Sequence, residues 1–463
     1  LKLVVFSFNF NQAPISSYPM PIKNFYQNNK VLLIILIGAF LASLAYSFYF
    51  RITPAVDARA YDTIAQNIVS GAGYREDLSR GVAFDQAISR VGPLYEYFLA
   101  GIYKVFGHHY EAVWLAQAGL RSLSAWLIYL TVLLILADHD KKKKIGLYAA
   151  AIFGFYPDLI EISAMLMTET FYLFLTVLLI YVFFAFVRRP GVYLAAALGL
   201  SAGLAVLARP PVLFLIPVFL FYLWREKLWR QATLFLLVLF IVFIPWTYRN
   251  YQIYDQLMPF GAAGNFNFWI GNQQGGDGEQ GLTEEQMRFL SSHEVSEIND
   301  ESLKQFKGFL LSHPLEFVKL TCLRINKYFS VIRPMGFWFY QQGPGQLLFI
   351  LSSAAVWVFL FVFGLGGVFK AIVDRDKRLY YLLAFTVLTP LIIFITVVET
   401  RYRFQIYPLL AVFAGYFIVN LHGQIKWWRE KTLRLAVILV VANGLLDLLL
   451  SLERFKERLD LFF

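Results

Sequence analysis

The chain reads as an all-α polytopic membrane protein of about eleven transmembrane helices, with helices at the extracytoplasmic interface and a partly helical external segment. Three observations predict this fold class. Of 463 residues, 58% are hydrophobic and only 16% charged. The apolar residues recur in runs of about twenty, long enough to cross a bilayer core as helix, the form that satisfies each backbone polar group internally. The basic residues behind the net charge of +10 sit in short clusters between those runs, as cytoplasmic connections do under the positive-inside rule, so no nucleic-acid partner is expected.

The runs cover residues 31–50, 113–137, 146–162, 168–187, 191–208, 211–224, 231–247, 346–369, 379–397, 404–421 and 432–450. The first lacks the basic-then-apolar order of a cleaved signal and is expected to persist as a helix. The fifth and sixth are separated only by Arg209-Pro210-Pro211. Proline there can end one helix and open the next, or mark a kinked or re-entrant pair. Lys141 to Lys144, Arg188-Arg189, Arg225/Lys227/Arg230, Lys370/Arg375/Lys377/Arg378 and Lys426/Arg429/Lys431/Arg434 occupy alternate connections, which defines one cytoplasmic face. Residues 1–30 then form a cytoplasmic N-terminal segment, and 51–112, 158–169, 248–345 and 398–403 share the outer side. The expected division is a membrane domain over 31–247 that includes the first outer loop 51–112, a large outer loop or small lid domain over 248–345, C-terminal membrane helices over 346–450, and a tail over 451–463.

In the first outer loop, Gly71 and Gly73 punctuate a helix expected from about Asp57 to Ser70. After Pro93, the spacing of Leu94, Phe98, Ile102 and Val105 against Tyr95, Glu96 and Lys104 suits an interfacial helix, or a helix buried within the loop. Segment 248–345 is glycine- and asparagine-rich to Gly281 and then helical, with Phe306, Phe309, Leu310 and Phe317 available to pack on the membrane domain. Nearly a hundred residues is too long for an idle connector.

Ionisable groups at helix ends carry the chemistry worth weighing. Asp57, Asp62, Asp158, Glu161 and Glu169 are the acidic residues on the proposed outer face. Asp57 and Tyr61, four apart, share a helix face, and a carboxylate beside a phenol can orient a hydroxyl-bearing substrate. The competing reading is that Asp57 caps that helix. Glu169 lies just inside an apolar run and requires a partner. Asp57, Asp158 and Glu169 are candidate oxygen ligands for a divalent cation, and oxygen-only ligation favours magnesium, manganese or calcium; carboxylates hydrated by water alone fit the same pattern. Arg209, Arg249, Arg401 and Arg403 are the basic candidates. Arg401 and Arg403, with Tyr402 between them, run against the positive-inside bias and suit a phosphate at headgroup depth, or internal pairing with Glu399. Arg249 is a substrate group or an interfacial anchor. Cys322 is the single cysteine, so there is no internal disulfide and no Cys/His metal cluster. His108-His109, His293 and His313 lack metal-ligand spacing. Gly275-Gly276 and Gly278 lack the lysine of a phosphate loop.

Taken together, these residues resemble the GT-C superfamily of integral membrane glycosyltransferases, in particular bacterial relatives of the protein O-mannosyltransferases and of the aminoarabinose transferase that modifies lipid A. The resemblance runs through Asp57-x-x-x-Tyr61 with Ala65, Asn67, Gly71 and Gly73, then Gly92-Pro93-Leu94-Tyr95, Thr168-Glu169, Ala208-Arg209-Pro210, Pro245-Trp246 with Arg249-Asn250, Gly271-Asn272, and Glu399-x-Arg401-Tyr402-Arg403 followed by Pro408. It implies a GT-C-like bundle in a bacterial plasma membrane. It also implies a sugar donor carried on a polyprenyl phosphate, an acceptor that is lipid, glycan or protein, and a site on the extracytoplasmic side. Asp57 would act as base with Tyr61 and Glu169 beside it, while Arg209, Arg249, Arg401, Tyr402 and Arg403 would hold the donor phosphate. Many relatives carry an acidic pair where this chain has Asp57-Ala58; the role of the second carboxylate is then absent or supplied by Asp62, Asp158 or Glu169. The alternative is a transporter or flippase of a lipid-linked or anionic substrate, which should carry polar groups through several mid-helix positions. Here the candidates gather at one face.

Overall fold

A computed structural model describes residues 29–90, 92–279, 281–333, 344–421 and 427–452. Residues 1–28 of the expected N-terminal segment, 334–343 of the outer segment, Lys426 and residues 453–463 of the tail lie outside the described residues. Among the described residues there are helices and no strands.

Each apolar run becomes helix, with ends set by the local residues. The membrane bundle begins with α1 (Lys30–Phe50). The first outer loop supplies α2 (Asp57–Val69) and α3 (Leu94–Phe106). Then follow α4 (Tyr110–Ile135), α5 (Lys142–Gly154), α6 (Pro157–Ser163), α7 (Thr168–Arg188), α8 (Val192–Ala208), α9 (Ile216–Arg225) and α10 (Trp229–Tyr254). The outer segment forms α11 (Ala263–Gly271), α12 (Glu284–Ser292), α13 (Val295–Ser312) and α14 (Pro314–Tyr328). The chain returns through α15 (Pro344–Val373), α16 (Tyr380–Leu388), α17 (Leu391–Ile395), α18 (Tyr407–Leu421) and α19 (Lys431–Leu450).

The expected eleven crossings are not all of one kind. Among the described residues eight helices are long and apolar enough to cross a membrane, and α5 with α6 make a ninth when the pair, bent by 55°, is counted as one span. The runs at 191–208 and 211–224 form shorter helices. Proline explains the break between them. The residue before proline is pushed out of the helical region, and Arg209, preceding Pro210, takes an extended conformation at φ −154°, ψ 119°. Its side chain therefore leaves the axis of α8 and enters the protein, where it is buried.

Burial sorts the bundle into centre and periphery. The span Thr400–Leu421 is 89% buried and α7 72%, whereas α10 is 22% and α1 28% buried. The two central elements bring their ends, Glu169 and Arg401, to one place. At the other end Arg188 donates to the carbonyl of Leu134, and Arg378 is paired with Asp376, itself bonded to Tyr416. Arg188 and Arg378 thus lie at the end of the bundle opposite Glu169 and Arg401.

The helix after Pro93 forms where expected, and Leu94, Phe98 and Ile102 pack partly buried against the core. Tyr95 and Glu96 are fully buried, along with Leu99 and Tyr103, while Val105 is 73% exposed. The outer segment differs: α13 packs on α11, with Phe306 against Phe268 at 4.7 Å, so its phenylalanines cover another outer helix before they reach the membrane domain.

Two glycines are required by close approach. A Cβ on Gly92 would stand 2.4 Å from the Leu207 carbonyl oxygen at the end of α8, and one on Gly271 would stand 2.0 Å from that of Thr396. Gly271 ends α11 directly against the strand-like stretch that leads into Glu399 and Arg401, and Asn272 beside it donates to Ile395. Gly271→Ala is expected to push residues 396–397 away and lower stability by about 1–3 kcal/mol. A thermal midpoint equal to the parent's in the same detergent would show that the contact is unimportant.

Candidate active site

Asp57 is the first residue of α2, following Val56 at φ 48°, a strained backbone position for a β-branched residue. No side chain caps the helix. The Asp57 carboxylate instead points across to two arginines: Arg90 donates Nη1 to Oδ1 at 3.2 Å and Arg401 donates Nη2 to Oδ2 at 2.9 Å. The capping reading is thereby overturned, and both oxygens serve a charged cluster whose Asp57 side chain is still 21% exposed.

Arg90 also grips Glu76 in a two-point contact, Nε to Oε2 at 2.9 Å and Nη2 to Oε1 at 2.6 Å. Arg401 donates Nε to Glu399 at 2.7 Å and approaches Glu169 at 3.8 Å. Glu169 finds the partner its position demands in Arg209, at 2.9 Å. As a carboxylate in the first turn of α7 it also meets the favourable end of the helix dipole. The Tyr402 ring lies between the two guanidinium groups, 5.3 Å from Arg209 and 5.7 Å from Arg401, and spaces two like charges with a π face attractive to both. Four carboxylates, of Asp57, Glu76, Glu169 and Glu399, thus share three guanidinium groups.

Tyr61 is buried one turn below Asp57, edge-on to Tyr95 with ring centroids 5.6 Å apart. Burial, with the Asp57 carboxylate adding to it, holds its hydroxyl well above the ordinary phenol range. The Tyr95 hydroxyl donates to Gln117, whose amide donates to the carbonyls of Ser163 and Met165. That chain of contacts ties the first loop to the turn that presents Glu169.

Three expected members fall elsewhere. Arg403 lies in the 3-10 turn Thr400–Ile406, where about three residues complete a turn and positions two apart point to different sides. Its donors go to the carbonyls of Thr400, Ser330 and Arg333, and it stacks over Trp357 at 5.4 Å. Arg249 donates to the Tyr74 carbonyl and to Asn250, caged by Tyr74, Trp246 and Tyr254, so it anchors α10 to the first loop. Asp158 is buried away from Asp57 and Glu169, near Arg403 and Ser353. Asp62, the other candidate second carboxylate, accepts from Tyr103 at 2.6 Å, Tyr110 at 3.0 Å and Gln66 at 3.1 Å, and meets His108 at 2.9 Å.

The residues present do not fit the expected divalent cation. Asp57 and Glu169 already neutralise arginines, Asp158 is not with them, and among the described residues no three His, Cys, Asp or Glu side chains converge in a metal-binding group.

Sequence reasoning missed Arg90, Glu76 and the buried Glu96. Arg90 did leave a signal: it is a basic residue in a loop that the charge pattern assigns to the side opposite the basic clusters, two residues before the Gly92-Pro93 turn.

Residues 90–248 match the family described as dolichyl-phosphate-mannose-protein mannosyltransferase. No curated protein matches the chain significantly. Among solved structures, the chain is similar to the archaeal oligosaccharyltransferase AglB from Archaeoglobus fulgidus in complex with an inhibitory peptide and a dolichol-phosphate. The TM-score is 0.55 at 14% identity, over 91% of this chain and 55% of that one. A structure of the Archaeoglobus fulgidus oligosaccharyltransferase tethered with an acceptor peptide gives a TM-score of 0.51 at 14% identity, over 91% and 54% of the two chains. ArnT from Cupriavidus metallidurans bound to undecaprenyl phosphate is matched more loosely, with a TM-score of 0.39 at 12% identity over 85% and 78%. The chain spans about half the length of the oligosaccharyltransferases it matches, and the likeness to them is one of fold. Residues 90–248 thus carry the family match, and the chain as a whole has the fold of the archaeal oligosaccharyltransferase.

Proposed function

We propose that the protein transfers a sugar from a polyprenyl-phosphate-linked donor to an acceptor hydroxyl on the extracytoplasmic face, by a single displacement with inversion. The observation that carries this reading is the Asp57 carboxylate held between Arg90 and Arg401 at the partly open edge of the cluster. The acceptor oxygen attacks the anomeric carbon as its proton passes to Asp57, and the bond from that carbon to the phosphate oxygen breaks with its electron pair leaving on the phosphate. Arg401, backed by Arg209 across the Tyr402 ring, is placed to stabilise the departing charge through forked contacts. The dolichol-phosphate in the AglB structure supports a lipid phosphate as the carrier. The grouping of basic clusters at the opposite end of the bundle supports the outer face.

The charge balance adds a requirement. Because four carboxylates already occupy three arginines, an incoming phosphate must displace a carboxylate from Arg401 or Arg90. Displacing Asp57 itself would free its carboxylate oxygens for the acceptor hydroxyl at the moment the donor binds. A panel of polyprenyl-phosphate sugars, offered to the protein in liposomes, tests the reading. Arg401→Gln is expected to weaken donor binding about 10- to 100-fold, the loss of one charge-assisted contact or two. Binding that ignores the phosphate, or movement of donor across the bilayer with no sugar transferred, would overturn it.

A further inference from the structure

Glu96 is fully buried on α3, and among the described residues neither of its carboxylate oxygens meets a hydrogen-bond donor. Such a group in ionised form costs several kcal/mol or more, so it survives in a folded protein by staying protonated or by having a task that repays the burial. Its surroundings point to both. From the first loop come Tyr74, whose hydroxyl faces the carboxyl, and Glu76 with Arg90, which in turn holds Asp57. From α2 come Tyr61 and, one turn above, Asp57; from α7 Glu169 reaches the neighbouring Tyr95, and from α10 Arg249 lies on Tyr74. Helix α4 meets α3 through Gln117 on Tyr95, and α8 carries no charged side chain. Glu96 therefore lies behind the layer of phenols that backs the Asp57 cluster.

We propose that Glu96 is a positioning residue of the transferase site, a carboxyl kept neutral behind Tyr61 and Tyr74 so that those rings and the Arg90 clamp present Asp57 to the acceptor. The inference rests on the transferase reading given above. Burial pushes the Glu96 carboxyl up to about 8, with the Tyr74 hydroxyl and Arg90 acting against that rise. Below that pH the group is neutral and leaves Arg90 to Asp57 and Glu76. Above it, a new negative charge within the layer competes for Arg90 and loosens Asp57.

Two measurements separate this inference from the function it depends on. Infrared spectroscopy of the purified protein at neutral pH should show a protonated carboxyl band that disappears in Glu96→Gln and, in the parent, on raising the pH through about 8; it needs no activity. In sugar transfer, Glu96→Ala should lower kcat about tenfold with donor KM kept, and Glu96→Gln, the isosteric neutral side chain, should restore most of that loss. The parent's rate should fall roughly tenfold per pH unit above its alkaline limb, a fall that Glu96→Gln removes. A Gln variant as slow as the Ala variant, an unchanged alkaline limb, a changed donor KM, or an absent carboxyl band would each overturn the proposal. A band without any sugar transfer by the parent would leave the buried acid in place and remove the transferase reading instead.

Discussion

Replacing Asp57 with Asn is expected to lower sugar transfer by about 10²- to 10⁴-fold, the range that removal of a general base usually costs. The amide is nearly isosteric, so α2 should fold and Tyr61 should stay beneath it. What changes is charge and donor pattern. An amide cannot take the acceptor proton, and its NH₂ group faces a guanidinium that also donates, so one of the contacts to Arg90 and Arg401 is lost. Those arginines then carry less internal neutralisation, and the lipid phosphate should bind as tightly as before or more tightly. Single-turnover transfer measured beside donor binding gives both numbers. Full transfer by Asp57→Asn would remove the base assignment, and parallel loss of binding and turnover would make Asp57 a binding group.

The second large effect is expected at Glu169. Its pair with Arg209 is almost completely buried, with side chains 2% and 5% exposed, and breaking such a pair from one side typically costs about 3–5 kcal/mol because the remaining charge has lost its counter-ion. Glu169→Gln leaves Arg209 facing the Tyr402 ring and a second guanidinium, Arg401, across it. The thermal midpoint should drop sharply and transfer should fall with it. The double variant Glu169→Gln with Arg209→Met removes the stranded charge and should recover stability while transfer stays low, since a guanidinium that backs Arg401 is then missing. If the single variant unfolds at the parent's temperature, the pair does not support the site.

Much of the fold was legible because its determinants are local and repetitive. The apolar runs specify helices, and the alternation of basic clusters specifies which ends share a side. The proline after Arg209 specifies the break that turns that side chain inward. Glu169 could be singled out because a carboxylate inside an apolar run demands a partner, and Arg401 because an outer arginine opposes the charge bias.

The rest depended on geometry that spacing alone misstates. Arg401 and Arg403 look equivalent in sequence, yet a tight 3-10 turn sends one to Asp57 and the other to backbone carbonyls beside Trp357. The spacing of Leu94, Phe98, Ile102 and Val105 marks an apolar face of α3, yet its most buried side chains are Tyr95, Glu96, Leu99 and Tyr103, while Leu94, Phe98 and Ile102 are only partly buried. Hydrophobic periodicity identifies the face that seeks an apolar environment and cannot tell the membrane from the protein interior. Where both are available, apolar side chains can face lipid and polar ones can turn inward.

The sequence by itself therefore determined an all-helical membrane protein with its acidic and outer basic residues gathered at one end, because helix formation and charge asymmetry are read a few residues at a time. Only the tertiary structure decided which charges meet: Asp57 with Arg90 and Arg401, Glu169 with Arg209, and Glu96 without a partner behind them. Ion pairing depends on distances of a few ångströms between residues up to hundreds of positions apart, and those distances are fixed by how the helices pack.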